Sequence, residues 1–202
     1  MKDRDAEGAG ASWPGYVSRM TLLQDQISAV SDVTPAERAQ RLNDAGAAWN
    51  ERIAADAGSA QLTYRVSGRG IGSVATEIRA GKHRFIVDEP SALAGDDVAA
   101  SPVEYALGAL VSCQVVVYRL YAQALGLTID EIEITAEGDL DVRKLFGIDE
   151  SGRAGFHDIR VKVDITGPDS PEQYENLRQV VDAHCPVLDL FAGTVPTSSA
   201  LV

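Results

Sequence analysis

The hydrophobic and polar positions along the chain repeat with two periods, and each period predicts a different kind of element. Apolar residues occupy every second position in DIRVKVDIT and EIEITAE, which predicts two half-buried β-strands. Three further strands are predicted by alternation at residues 62–66, 74–78 and 85–87. A turn at Ala80-Gly81 joins the last two of these as a hairpin, and consecutive hairpins indicate antiparallel sheets.

Three predicted helix starts share one local pattern. TPAE, SPVE and SPEQ each provide an N-cap hydroxyl, a proline at the first helical position and Glu or Gln at the third. This pattern is a capping box, and it predicts helices that begin at Pro35, Pro102 and Pro171. The second helix is apolar on almost every face, so we expect a sheet or a partner chain to cover it on all sides. A short fourth helix is predicted beside Cys185, with Pro186 in its first turn.

The order of these elements defines the fold class. A helix is followed by three strands, a long helix, two strands and two helices, which is typical of an α+β protein. Residues 1–58 differ in character from the rest and are predicted to form a helical N-terminal extension. Its charged helix is expected to lie at the surface. Residues 59–202 are predicted to form the single α+β domain.

Composition and charge narrow the classes of function. The 30 acidic and 18 basic residues give a net charge of -12, which argues against nucleic acid or an anionic membrane as a partner. The opening MKDRDAEGAGASWPGY lacks the apolar core of a secretory signal, and Ser112 to Gln114 interrupt the longest apolar run. Two cysteines without such a signal indicate a reducing cytoplasm, where a transient disulfide is more useful than a structural one.

The stretch SGRGIGSV has the glycine spacing of a dinucleotide-binding loop, but its context differs. The residues after it alternate like a strand, whereas that motif requires a helix whose N-terminus binds the pyrophosphate. We therefore interpret it as a glycine-rich turn between strands that exposes Arg69. The three histidines and two cysteines lack the spacing of a metal site, so no cofactor and no metal are expected.

The two cysteines are the candidate reactive groups. Cys113 lies in the middle of the apolar helix, where a free cysteine is most often a small buried hydrophobe. Cys185 lies near the N-cap of the last helix, where free N–H groups stabilise a thiolate, although a cysteine there can also simply cap the helix. Considered together, they suit a reversible pair that reduces peroxides through a sulfenic acid and a disulfide. Arg69 is a candidate cation to lower the pKa of the attacking thiol.

Four stretches, in the same order, resemble the OsmC/Ohr family of osmotically induced and organic hydroperoxide resistance proteins. They are SPVEYALGALVSC, ALGLTIDEIEITAEGDLDVRKLFG, GFHDIRVKVDITGPDSPEQYENL and HCPVLDLFAGTVP. The resemblance covers roughly residues 60–200 and is closest to a divergent OsmC-like subgroup. It implies antiparallel sheets around a long buried central helix, and an intertwined homodimer with its active sites at the subunit interface.

The resemblance also implies roles for individual residues. Cys113 matches the family's peroxidatic cysteine and Cys185 its resolving cysteine, which implies a Cys113–Cys185 disulfide. Arg69 is similar to the arginine that holds the thiolate. Glu104 is a candidate partner of that arginine, but it lies one position later than the family's glutamate. It also completes the capping box of Ser101, so a purely structural role is the alternative.

The predicted function is a cytoplasmic, homodimeric, cysteine-dependent peroxidase that reduces organic hydroperoxides. A dithiol reductant is expected to restore its thiols, and neither nucleic acid nor membrane is expected as a partner. The alternative is a non-catalytic OsmC-like module that binds a small ligand in an apolar pocket. Cα atoms of Cys113 and Cys185 within about 7 Å would favour the peroxidase, since a disulfide requires that proximity.

Overall fold

The computed structural model describes residues 27–201, and the earlier part of the predicted extension lies outside these residues. Within them the order of elements is the predicted one, which confirms the α+β class. The elements are α1 (Pro35–Ala55), β1 (Val66–Ile71), β2 (Ala75–Ala80), β3 (His83–Val87), α2 (Pro102–Leu125), β4 (Glu131–Asp139), β5 (Asp158–Thr166), α3 (Pro171–His184) and α4 (Pro186–Ala192).

The predicted capping boxes form at the helix starts. At α2 the Ser101 N–H donates to Glu104 Oε2 at 2.7 Å, and the Glu104 N–H donates to Ser101 Oγ at 3.4 Å. The same reciprocal pair, Ser170 and Gln173, opens α3. At the other end of α2, Gly126 takes the left-handed backbone conformation at φ 71°, which a residue without Cβ adopts at little cost.

The position predicted for the first strand is wrong. β1 begins at Val66, includes the stretch interpreted as a turn, and ends before the real turn at Gly72, whose φ is +57°. The physical reason is a close approach across the sheet. A Cβ on Gly68 would lie 3.0 Å from Thr76 Cγ2 and 3.1 Å from Ile78 Cδ1, so glycine here makes room for the side chains of β2.

The three-stranded antiparallel sheet β1-β2-β3 has two unlike faces. Its register places Gly68, Ile78 and Phe85 side by side on one face, which is largely apolar. Arg69 and Glu77 are paired on the opposite face, which carries most of the charges. The second sheet consists of β4 and β5, and its residues alternate between exposed and half-buried along both strands.

The hydrophobic core lies where α2 packs against α3, α4 and β4. Its buried members are Val117, Tyr118, Ala122, Ile129, Leu177, Val181 and Cys185. Part of α2 beside Cys113 is open within one chain, because Val116 is 56% exposed and Leu120 is 40% exposed. The expectation that the helix is covered on all sides is therefore not met by the described residues of this chain. Cover by a partner chain stays a prediction.

Helix α2 is also long and apolar enough, by length and composition alone, to cross a membrane. The central helix of a folded domain passes the same test. The buried residues of α2 and its packing on three neighbouring elements are those of a central helix.

Helix α1 contains no buried residue, as expected for a surface element. It carries a cation–π contact in which the guanidinium of Arg52 lies 4.8 Å from the ring centre of Trp49. When the chain is divided into compact units, the boundary falls between Arg38 and Ala39, inside this helix. The predicted domain boundary at residues 58/59 stays a prediction.

Candidate functional site

Cys113 lies in the fourth turn of α2, at the edge of the side that meets the core. It is half-buried and packs against the core cluster that contains Cys185. The apolar sequence of α2 drives this face inward and holds the thiol at the edge of the core. Cys113 is therefore the more accessible of the two cysteines.

Cys185 joins α3 to α4 and is enclosed, with only 2% of its surface exposed. Its backbone is extended, with φ -84° and ψ 110°, because it is at once the last cap of α3 and the N-cap of α4. Pro186 occupies the first position of α4 and cannot continue the preceding helix. The predicted helix start is confirmed.

The two thiols are neighbours and both are free. Burial raises the pKa of the Cys185 thiol, the N–H of Leu188 opposes that shift, and the hydrogen bond and charge of Cys113 add to the rise. The side chain of Cys113 therefore acts directly on Cys185. Because its pKa is raised, Cys185 is held as a protonated thiol at neutral pH, next to a more exposed sulfur.

Arg69 lies on β1 and pairs with Glu77 on β2, with 2.8 Å between Nη2 and Oε2. Its side chain is 75% exposed, and it is not among the groups that shift the pKa of Cys185. Within one chain, the recorded partner of Arg69 is thus a carboxylate of its own sheet. Its predicted role toward the Cys113 thiolate stays a prediction.

Glu104 is held by the capping box of α2. Hydrogen bonds from the side chain and then the backbone of Ser101 keep its pKa below the ordinary value, so the group is a carboxylate at neutral pH. Both of those bonds go to Oε2, from Ser101 Oγ and Ser101 N, each at 2.7 Å. The structural role of Glu104 is therefore visible in one chain, while its catalytic role stays a prediction.

Two buried polar side chains beside the cysteines were not picked out from the sequence. Gln114 follows Cys113 directly and is 2% exposed, and Tyr118 is 1% exposed. Within residues 27–201, Gln114 Oε1 and the Tyr118 hydroxyl have no hydrogen-bond partner. The only signal in the sequence is a glutamine that interrupts an apolar helix, and its burial depends on tertiary packing.

An apolar pocket of about 430 Å³ lies next to the cysteine cluster. Leu188 lines this pocket and also packs against the cluster, so the two are adjacent. Ala106, one of the residues on the Cys113 side of α2, contributes to the wall, and Arg153, His157 and Asp158 provide its polar groups. In the described part of the chain, no group of three or more His, Cys, Asp or Glu side chains is arranged to hold a metal ion.

These observations agree with comparisons with known proteins. The model of the OsmC-like protein family matches residues 95–199, which is just over half of the chain, and the chain therefore belongs to that family. The match includes α2, β4, β5, α3 and α4, together with both cysteines. No curated protein matches the chain.

Solved structures of the same fold come from several bacteria. An OsmC-like protein from Mycoplasma pneumoniae is 18% identical, with a TM-score of 0.58 over 66% of this chain and 89% of that one. An organic hydroperoxide resistance protein from Legionella pneumophila is 19% identical, with a TM-score of 0.52 over 65% and 90%. One from Elizabethkingia anophelis is 18% identical, with a TM-score of 0.52 over 66% and 90%. At these identities the likeness establishes the fold, and the OsmC-like architecture inferred from the sequence is confirmed.

Proposed function

We propose that this protein is a cysteine-dependent peroxidase that reduces organic hydroperoxides in the cytoplasm. The observation that carries the proposal is the direct neighbourhood of two free thiols, one half-buried and one enclosed with a raised pKa. Membership of the OsmC-like family supports it. So do the names of the Legionella and Elizabethkingia structures, which are organic hydroperoxide resistance proteins.

The proposed catalytic cycle has three steps, which are oxidation of Cys113, formation of the disulfide and its reduction. The Cys113 thiolate attacks the terminal oxygen of ROOH, the O–O bond breaks, Cys113 becomes a sulfenic acid, and the alkoxide takes a proton to leave as ROH. The Cys185 thiol then attacks the sulfenic sulfur, and the hydroxyl leaves as water with the Cys185 proton while the disulfide forms. A dithiol reductant gives up two electrons and two protons to restore both thiols and becomes a disulfide itself.

The unequal environments of the two sulfurs support this order of events. Cys113 is the more exposed thiol, so a peroxide reaches it first. Cys185 is enclosed and its pKa is raised, so it keeps the proton that the departing water needs. The pocket beside Leu188 has apolar walls, which favour an alkyl or aryl group on the hydroperoxide.

The proposal assigns the remaining roles within a homodimer. Arg69 would supply the cation that holds the Cys113 thiolate and orients the peroxide, a function that suits a guanidinium because it stays charged at any working pH. Within one chain Arg69 is paired with Glu77, so we propose that the contact between Arg69 and the Cys113 thiolate forms at the interface with a second copy. Glu104 would orient Arg69 in addition to capping α2.

The decisive experiment adds one equivalent of cumene hydroperoxide to the reduced protein and measures intact mass and free thiols. Loss of two hydrogens and of both thiols is expected in the parent. Cys113→Ser should keep its remaining thiol, and Cys185→Ser should gain one oxygen at Cys113 or become overoxidised. The Cys185→Ser variant is the matched control, because it retains the attacking cysteine.

A second candidate is a non-catalytic module that binds a small ligand in the 430 Å³ pocket. If both thiols of the folded parent survive conditions that oxidise a known thiol peroxidase, the peroxidase proposal is wrong and this alternative replaces it. Equal thiol loss in the parent and in Cys113→Ser, counted per thiol present, would also contradict the assigned mechanism.

A further inference from the structure

Three arginines lie together on the charged face of the β1-β2-β3 sheet. The antiparallel register places Arg79 directly opposite Arg84, and Arg69 opposite Glu77 in the neighbouring row. Together with Ser67 these side chains, which we call the arginine face, line a concavity of about 360 Å³. Every residue of this surface comes from one sheet, so its geometry is set by strand pairing within one chain.

The arginine face has more positive than negative charge. Glu77 is its single carboxylate and is shared, since Oε2 accepts from Arg69 at 2.8 Å and Oε1 accepts from Arg84 at 3.1 Å. Arg79 donates through Nε to the carbonyl oxygen of Gly81 at 3.4 Å, and no described carboxylate pairs with it. Three guanidinium groups and one carboxylate leave two positive charges on a chain whose net charge is -12.

This arrangement does not serve the stability of the sheet. Like charges directly opposite each other on neighbouring strands are destabilising, and the chain has 30 acidic residues from which a partner for Arg79 could have come. On the β4-β5 sheet, by contrast, Arg160 contacts three carboxylates, those of Glu137, Asp139 and Asp158. The three arginines of the arginine face thus share one carboxylate, whereas Arg160 alone has three.

We infer that the arginine face binds the phosphate group of a small soluble molecule. A phosphate carries up to two negative charges, which match the local excess, and its oxygens accept paired N–H donors from guanidinium groups. The side chain of Arg84 is 66% exposed and Arg79 is exposed as well, so their remaining donors can be reached from solvent. The net charge of -12 opposes an extended anionic surface such as a membrane, whereas a small ion senses mainly the nearby arginines.

Calorimetric titration of the reduced full-length chain with pyrophosphate at low ionic strength tests this inference. We expect saturable binding to the parent, and weakening by about tenfold or more in Arg79→Gln and in Arg84→Gln, because each removes a charge-assisted contact. Glu77→Gln should bind several-fold more tightly, because the competing carboxylate is gone. The matched control is Arg160→Gln, an exposed arginine on the other sheet, for which the affinity should not change.

Several outcomes would overturn the inference. These are no heat of binding at millimolar pyrophosphate, affinity unchanged in both arginine variants while circular dichroism shows them folded, or equal weakening in Arg160→Gln. Sedimentation with vesicles of phosphatidylserine and phosphatidylcholine separates the two sources of phosphate, and binding to vesicles without binding to pyrophosphate would contradict a small soluble ligand. Arg69, which the proposed function assigns to Cys113, is left unchanged in the two arginine variants. Cys113→Ser should bind pyrophosphate like the parent, so failure of this inference does not decide the proposed peroxidase activity.

Discussion

Tyr118 shows how the environment of a single residue departs from its ordinary chemistry. The side chain is 1% exposed in the core, and its hydroxyl has no hydrogen-bond partner among the described residues. Burial raises the pKa of the phenol from 10 to about 12, the charge of Asp182 adds to the rise, and Arg178 opposes it. A buried hydroxyl without a partner costs stability that a phenylalanine does not.

We therefore predict that Tyr118→Phe raises the free energy of unfolding by about 1 kcal/mol at pH 7. The difference should increase from pH 10 to 12, because the unfolded parent loses its phenolic proton near pH 10 while the folded parent keeps it to about pH 12. Parent stability thus falls across this window relative to the variant. Urea unfolding at several pH values measures both effects, and parallel stability curves would show that the pKa of Tyr118 is not raised.

At the scale of elements, a few side chains decide where each helix begins. The boxes at α2 and α3 share a serine N-cap and a proline at the first helical position, and they differ at the third, which is Glu104 in one and Gln173 in the other. The lowered pKa of Glu104 means that its contribution to stability is present at neutral pH and is lost as the carboxylate is protonated in acid. The α3 box contains no carboxylate and has no such dependence.

Ser101→Ala should lower the free energy of unfolding by about 1 kcal/mol, and Ser170→Ala by a similar amount, because each leaves N-terminal N–H groups without a partner. Glu104→Gln should cost less at neutral pH, since Gln173 performs the same task at α3. Urea unfolding at pH 7 measures these changes. Peroxide turnover of Glu104→Gln then separates the two roles of Glu104, because a residue that only caps leaves the rate unchanged.

The glycines of β1 provide a second prediction at this scale. A Cβ on Gly68 would lie 3.0 to 3.1 Å from side-chain atoms of Thr76 and Ile78, whereas nothing lies within 4 Å of one on Gly70. Gly70→Ala should leave the free energy of unfolding unchanged or raise it slightly. The free energy of unfolding of Gly68→Ala should be about 1 kcal/mol lower than that of Gly70→Ala. Thermal unfolding of both variants checks this, and equal stabilities would mean that the side chains of β2 move aside freely.

At the scale of the whole molecule, the central helix is incompletely covered. One side of α2 packs into the core, but Val116 and Leu120, which lie around the helix beside Cys113, are 56% and 40% exposed. The apolar face of the β1-β2-β3 sheet is similarly open, with Val66 64% exposed. Open apolar surface of this kind is characteristic of an interface between subunits.

We predict a homodimer with a mass of about twice 21.5 kDa. Light scattering after size exclusion measures the mass directly, and a parent that elutes as a monomer at micromolar concentration would contradict the prediction. Val116→Glu should shift the equilibrium toward monomer, because it buries a charge in the proposed interface. Val142→Glu is the matched control, since Val142 is 44% exposed but lies in the loop before β5.

The sequence allowed the helix starts at Pro35, Pro102 and Pro171 and the family to be predicted correctly. The helix starts were predictable because a capping box involves residues only three positions apart, and the family was predictable from four motifs in a fixed order. The position of the first strand was predicted wrongly because glycines have no side chains, so they contribute nothing to an alternating pattern of apolar and polar residues. The reason for a glycine at position 68 is the close approach of side chains from β2, which the local sequence does not show. The roles of Cys113, Cys185, Arg69 and Glu104 came from chemistry and resemblance and remain to be tested.

Alternation, capping and the apolar run of α2 determined by themselves which elements form, because those signals act between residues only a few positions apart. Only the tertiary structure decided that Cys113 and Cys185, which are 72 positions apart, share one cluster, with one sulfur accessible and the other enclosed. The same holds for the arginine face, because residues from three strands become neighbours only through sheet register. Burial and charge depend on which distant residues surround a group, and no local pattern encodes that.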